Sequence, residues 1–105
     1  MKRLVHWVTL AVLAAFAAAA QAQAGKKVEV LWLGQAAFRI TTPGGKVIVI
    51  DPWLKTNPKT PAQFKDLGAL GKVDLVLLTH GHFDHSADAA ELARTNKVRL
   101  YAPPG

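Results

Sequence analysis

Apolar positions fall into two regimes along the chain. From Leu4 to Gly25 no residue is charged, and Leu10 to Ala20 is almost wholly apolar. From Lys27 the pattern breaks into short alternating or continuous runs separated by Gly and Pro. Lys27–Leu33 sets Val28, Val30 and Trp32 on one face against Lys27, Glu29 and Leu31, which is the period of a strand. Gly34-Gln35-Ala36 interrupts it, and Ala37–Thr41 resumes with Phe38 and Ile40 opposite Arg39 and Thr41. Pro43-Gly44-Gly45 is turn chemistry, since Pro presets one central torsion and Gly supplies positive φ. Lys46–Ile50 then runs Lys-Val-Ile-Val-Ile, the pattern of a strand buried on both faces. Three strands in a β-meander are predicted.

Asp51–Lys72 carries Pro52, Pro58 and Pro61 and has little periodicity. It reads as a long excursion with one helical turn around Ala62–Leu67, and such loops are more often functional than idle. Val73–Leu78 is a second buried strand, Thr79–His85 a loop, and Ser86–Arg94 a short helix. Ser86 suits the N-cap, Asp88 the first turn and Arg94 the last. Ala89, Leu92 and Ala93 form its apolar stripe at i, i+3, i+4 spacing. Val98–Tyr101 follows as another strand. Strand, helix and strand from Val73 to Tyr101 make a βαβ unit, so the fold class is α/β with a partly parallel sheet.

The uncharged opening stretch changes what counts as domain. Met1-Lys2-Arg3 is basic, an apolar middle follows, and Ala20-Gln21-Ala22-Gln23-Ala24 offers cleavage after Ala22 or Ala24. That is the layout of a secretory signal peptide. Residues 1–24 are therefore expected to be removed, leaving a periplasmic or secreted protein with no stable membrane span. His6 and Trp7 fall inside this segment and carry no chemistry on this reading. An uncleaved anchor is the alternative, because an uncharged stretch of this length could cross a bilayer.

Composition narrows the chemistry. With 105 residues, 50% hydrophobic and 19% charged, the chain is globular and one domain is its ceiling. Cys is absent, which excludes disulfide frameworks and thiolate metal sites. The formal charge of +6 includes Lys2 and Arg3; without them the basic residues are scattered and no nucleic-acid partner is expected.

What remains is a cluster. His80-Gly81-His82-Phe83-Asp84-His85 follows directly on the apolar run Val73–Leu78. Residues beyond the end of a buried strand point into a crevice, the usual ligand position in α/β folds. Imidazole and carboxylate suit a borderline divalent cation such as zinc. In an extended loop His80 and His82 point the same way and can grip one ion. Asp84 and His85 come where the chain curls into the helix, so their side chains diverge from the first pair toward a second ion. Asp51, at a strand end, can accept the spare N–H of a ligating imidazole, although Asp51-Pro52 also reads as a simple turn former. Trp53 and Phe64 are candidates for a substrate wall, with packing beneath the loop the stronger reading.

The hexapeptide His80–His85 resembles the His-x-His-x-Asp-His signature of the metallo-β-lactamase-fold hydrolase superfamily. Leu31–Phe38, Gly45–Leu54 and Thr56-Asn57-Pro58 resemble its branch of metal-dependent hydrolases related to ascorbate-phosphate lactonase. The resemblance covers nearly all of Lys27–Gly105. It implies an αββα sandwich of which residues 25–105 are the N-terminal half, cut short at the C-terminus. It implies His80 and His82 as ligands of a first metal, Asp84 and His85 of a second, Asp84 as the catalytic holder of the attacking water, and Asp51 as a supporting carboxylate behind the ligands. Two zinc ions are implied, with manganese or iron as alternatives. Many members carry His where this chain has Gln35, and the superfamily's downstream ligands have no counterpart after His85.

The function expected of the whole protein is thus metal-dependent hydrolysis of a small-molecule ester, lactone, amide or phosphodiester, with the fragment alone inactive. The alternative is a non-catalytic metal-binding or assembly module. Half a sandwich should also leave apolar strand faces bare.

Overall fold

The computed structural model describes residues 1, 6–8 and 27–104. The expected signal peptide thus lies almost entirely outside the described residues. Among those residues no helix is long and apolar enough to cross a membrane.

A mixed five-stranded sheet organises the chain, in the order β1 (Glu29–Gly34), β2 (Ala37–Thr41), β3 (Val47–Ile50), β4 (Leu75–Leu77) and β5 (Leu100–Tyr101). The first three strands pair antiparallel as the predicted meander, and β3, β4 and β5 run parallel. Two short 3-10 turns, Ala62–Phe64 and Leu67–Leu70, sit in the excursion between β3 and β4. Between β4 and β5 lie α1 (Phe83–Ser86) and α2 (Ala89–Asn96). This is the expected α/β pattern of a meander followed by a βαβ unit, in a layout consistent with part of a metallo-β-lactamase fold.

Local differences have identifiable causes. One helical turn was expected around Ala62–Leu67, but the Asp66 carboxylate accepts from the Gly68 N–H and starts a separate turn. The single helix expected over Ser86–Arg94 is two. Ser86 does not cap; its hydroxyl donates back to the carbonyls of Gly81 and His82. Asp88 is buried, and its carboxylate accepts from the N–H groups of Leu54 (2.7 Å) and Lys55 (3.0 Å). It therefore staples the excursion to the start of α2 instead of serving its own helix. The strand expected over Val73–Leu78 shortens to β4 because Asp74 forms a clasp with β3. Its N–H donates to the Val47 carbonyl (2.8 Å) while its carboxylate accepts from the Val47 N–H (2.9 Å). At the far end of α2 the chain leaves through Lys97 in the left-handed region (φ 56°), so β5 begins only at Leu100.

Register sorts the side chains into two unlike faces. Leu33, Val47, Val49 and Val76 are buried against Leu54, Leu70, Val73 and the Ala89, Leu92 and Ala93 stripe of α2. The opposite face carries the rows Trp32, Phe38, Ile50, Leu77, Tyr101 and Val30, Ile40, Ile48, Leu75. Trp32 (53%), Val30 (62%) and Tyr101 (50%) are exposed there, and Ile48 and Ile50 are only half-buried. So β3 is not buried on both sides as its composition suggested; among the described residues that second face has no covering layer.

The β1–β2 turn depends on Gly34. Its φ is 108°, and a Cβ there would stand 2.8 Å from both the Lys59 carbonyl carbon and the Thr60 nitrogen. Gly34→Ala in the intact protein should therefore lower stability by about 2 kcal/mol or more, because a left-handed conformation costs roughly 1–2 kcal/mol before the backbone clash is added; urea unfolding measures it. The Asp74 clasp gives a pH dependence. The hydrogen bond from the Val47 N–H, helped by Lys72 and Lys46, holds the Asp74 carboxyl below its ordinary value. A depressed carboxyl contributes stability above its unfolded pKa near 3.8 and loses it as pH falls through the folded value. The stability difference between the wild type and Asp74→Asn should thus be constant near neutrality and shrink in acid below about pH 4.

Candidate metal centre

The candidate residues meet at the carboxyl ends of β3 and β4. Asp51 leaves β3 with φ 47°, a left-handed conformation that Asp tolerates better than most residues. That twist turns its carboxylate under the loop after β4, where it is 2% exposed. Its Oδ1 accepts from the Thr79 N–H (2.7 Å); its Oδ2 accepts from the Thr79 hydroxyl (2.6 Å) and from His85 Nδ1 (2.8 Å). Asp51 thus turns the chain and is hydrogen-bonded to His85 directly and to Thr79 beside His80. Burial pushes its carboxyl upward, but the bonds from Thr79 and His85 outweigh it and hold the group below the usual range.

These contacts fix tautomers. Thr79 has one hydroxyl proton and gives it to Asp51, so its oxygen can only accept from His80 Nδ1, 3.0 Å away. His80 then carries its proton on Nδ1 and presents a bare Nε2. His85, donating from Nδ1 to Asp51, presents a bare Nε2 by the same logic. One carboxylate prepares both rings, one directly and one through a hydroxyl. Nothing in the sequence marks Thr79 for this part beyond its place before the histidines.

Two facing pairs of donors result. His80 Nε2 lies 3.1 Å from His82 Nδ1. Two nitrogens held by one tetrahedral zinc at about 2.0–2.1 Å would stand about 3.3–3.4 Å apart, so this pair fits such an ion with little movement. His85 Nε2 lies 3.8 Å from Asp84 Oδ2, a wider bite. The helical turn does not carry His85 away as expected, since its ring centroid is 4.0 Å from that of His80. Among the described residues no three His, Asp or Glu side chains form a ready-made cage. His80, His82, Asp84 and His85 could hold metal as two incomplete pairs.

Two further contacts escape sequence reasoning. Gln35 Nε2 donates to Asp84 Oδ2 at 2.5 Å, across 49 positions of chain. This bond is the main reason the Asp84 carboxyl sits below its ordinary value, against a smaller upward push from desolvation. Trp53, whose indole N–H is taken by the Thr56 hydroxyl, packs its ring against exposed Phe83 with centroids 6.0 Å apart. Asn57 is buried beneath it and donates to the Trp53 carbonyl, which gives the Thr56-Asn57-Pro58 stretch a structural purpose. Phe64 packs against the core and forms no wall.

Comparison with known proteins agrees with this architecture. Residues 29–102 match the family model described as the beta-lactamase superfamily domain. A UPF0173 metal-dependent hydrolase of Polaromonas sp. is 71% identical over 77 residues, which is 73% of this chain and 28% of the relative. One from Cupriavidus necator is 69% identical over 83 residues, covering 79% of this chain and 28% of the relative. Among solved structures, Igni18, a metallo hydrolase from the archaeon Ignicoccus hospitalis, superposes with a TM-score of 0.61 at 37% identity, over 70% of this chain and 30% of that one. The chain thus spans little more than a quarter of the length of these curated relatives.

Asp51→Asn provides the test of the tautomer argument. An amide keeps one oxygen and puts N–H donors in place of the other. Either the Thr79 N–H on Oδ1 or the Thr79 hydroxyl and His85 on Oδ2 then meet a donor instead of an acceptor, and the support of the two rings is disturbed. Zinc affinity of the intact protein should fall by about 10–100-fold, the usual effect of removing an outer partner of a ligating histidine, as measured by competition with a chromophoric chelator.

Proposed function

The chain belongs to the beta-lactamase superfamily domain family, and from that premise we propose that the intact protein is a metal-dependent hydrolase of a small-molecule ester, lactone, amide or phosphodiester. The observation that carries this reading is the facing pair His80 Nε2 and His82 Nδ1 at 3.1 Å, with His80 and His85 both tied back to Asp51. Its relatives are named metal-dependent hydrolases.

On this reading His80 and His82 hold a first divalent cation, and Asp84 and His85 a second. A bound cation of this kind supplies Lewis acidity, polarising the bond under attack and lowering the pKa of a water toward neutrality. The protein's own residues do the rest. Asp51 keeps the proton of His85 on Nδ1 directly and that of His80 through Thr79, which leaves the Nε2 lone pair of each ring for a cation. Asp84, whose Oδ2 accepts from the Gln35 amide N–H, would hold the attacking water and aim its oxygen. Trp53 and Phe83 form an apolar rim beside the loop, available to the non-reacting part of a substrate. Zinc is the metal this nitrogen-rich donor set favours, two ions per chain, with manganese or iron as alternatives. Residues 1–24, as an export signal, would place the protein in the periplasm or outside the cell.

The intact protein, purified without chelators, should hold close to two ions per chain and turn over members of an ester and phosphodiester panel. His82→Ala should abolish turnover, by about a thousandfold or more if one of the metals is lost, while its far-UV circular dichroism stays that of the wild type. Metal binding without turnover of any substrate would instead mark a non-catalytic metal-binding or assembly module.

A further inference from the structure

Gln35 stands out because its backbone and its side chain are held in ways the fold alone does not require. It is the first residue of the β1–β2 turn, and its φ of 50° is a region that Gln enters at a cost. Gly34 before it is pressed against the Lys59–Thr60 peptide, and the Trp32 indole N–H donates to the Gln35 carbonyl at 2.8 Å. Both contacts fix the direction in which the side chain leaves the turn. That direction ends on Asp84 Oδ2, at 2.5 Å. A Gly or Asn would suit the turn better, but neither reaches the carboxylate.

We propose that Gln35 is a positioning residue for Asp84: its amide N–H locks the carboxylate's rotation so that Oδ2 stays on the side of His85 Nε2 and Oδ1 faces the opposite way. An ionised carboxylate has about four lone-pair sites, so the amide takes one on Oδ2 and leaves the others for a cation and a water. Asp84 needs such a lock. Its side chain is 43% exposed, and apart from Gln35 its carboxylate meets, among the side chains of the described residues, only His85 Nε2 at 3.8 Å and the longer-range charge of His82. A neutral donor does this without competing as a cation. A Lys in its place would hold Asp84 as an ion pair and oppose metal entry.

This inference rests on the hydrolase reading and deepens it. The test uses the intact protein with zinc alone as the probe, then turnover of an aryl ester. Gln35→Gly and Gln35→Asn both relax the turn, so each should unfold at a temperature equal to or above that of the wild type. Each should nonetheless lose about 10–100-fold in affinity for the more weakly held zinc and a similar factor in kcat, with KM little changed. Gln35→His, which returns an N–H donor to the same turn, should recover most of both. Wild-type zinc affinity and kcat in the Gly and Asn variants overturn the proposal, as does a loss that merely follows a drop in melting temperature. A wild-type protein that takes up no zinc overturns the hydrolase reading itself, and this inference with it.

Discussion

A single buried carboxylate joins the sheet to the chemistry. Asp51 ends β3, and its oxygens gather the Thr79 N–H, the Thr79 hydroxyl and His85 Nδ1, all from the segment that leaves β4. Because β3 and β4 are parallel neighbours, their carboxyl ends lie side by side, and a carboxylate on one can bridge to the loop on the other. An unpaired buried carboxylate would be costly. Here its acceptor capacity is matched by donors, and the same bonds set which imidazole nitrogens are free. The packing of the loop and the orientation of the candidate ligands thus depend on one group.

The long excursion after Asp51 is held by similar means. Asp88 binds the N–H groups of Leu54 and Lys55, and buried Asn57 binds the Trp53 carbonyl while its own oxygen accepts from Lys59. A stretch without regular hydrogen-bonded structure must satisfy its backbone with side chains, and these acids and amides do so. Trp53 is thereby fixed next to Phe83, inside the hexapeptide that carries the histidines. The rim and the candidate ligands are consequently packed side by side.

Most of the architecture was legible in the residues. Alternation and β-branched runs located every strand to within a few positions, and the apolar stripe at Ala89, Leu92 and Ala93 located the helix face. The cluster His80–His85 was legible because so many ligand-type side chains in one window have few other uses. What stayed hidden is tertiary. Ser86 and Asp88 have the composition of helix starters, but each spends its side chain on a more distant backbone group, so the helix breaks between them. Thr79 and Gln35 are ordinary residues whose roles come from what lies opposite them, and no local pattern encodes a partner 28 or 49 positions away. The Val-Ile-Val-Ile run spoke for burial on both faces, yet among the described residues only the side toward α2 is covered.

The side left uncovered among the described residues separates two responses to temperature. Attraction between apolar planes weakens on cooling, so any layer or copy that settles on the rows led by Trp32 and Val30 is gripped less firmly in the cold and more firmly with warmth. The bonds at Asp51 do not draw on that force. Chilling would accordingly loosen what lies across the sheet while leaving the imidazoles aligned behind it.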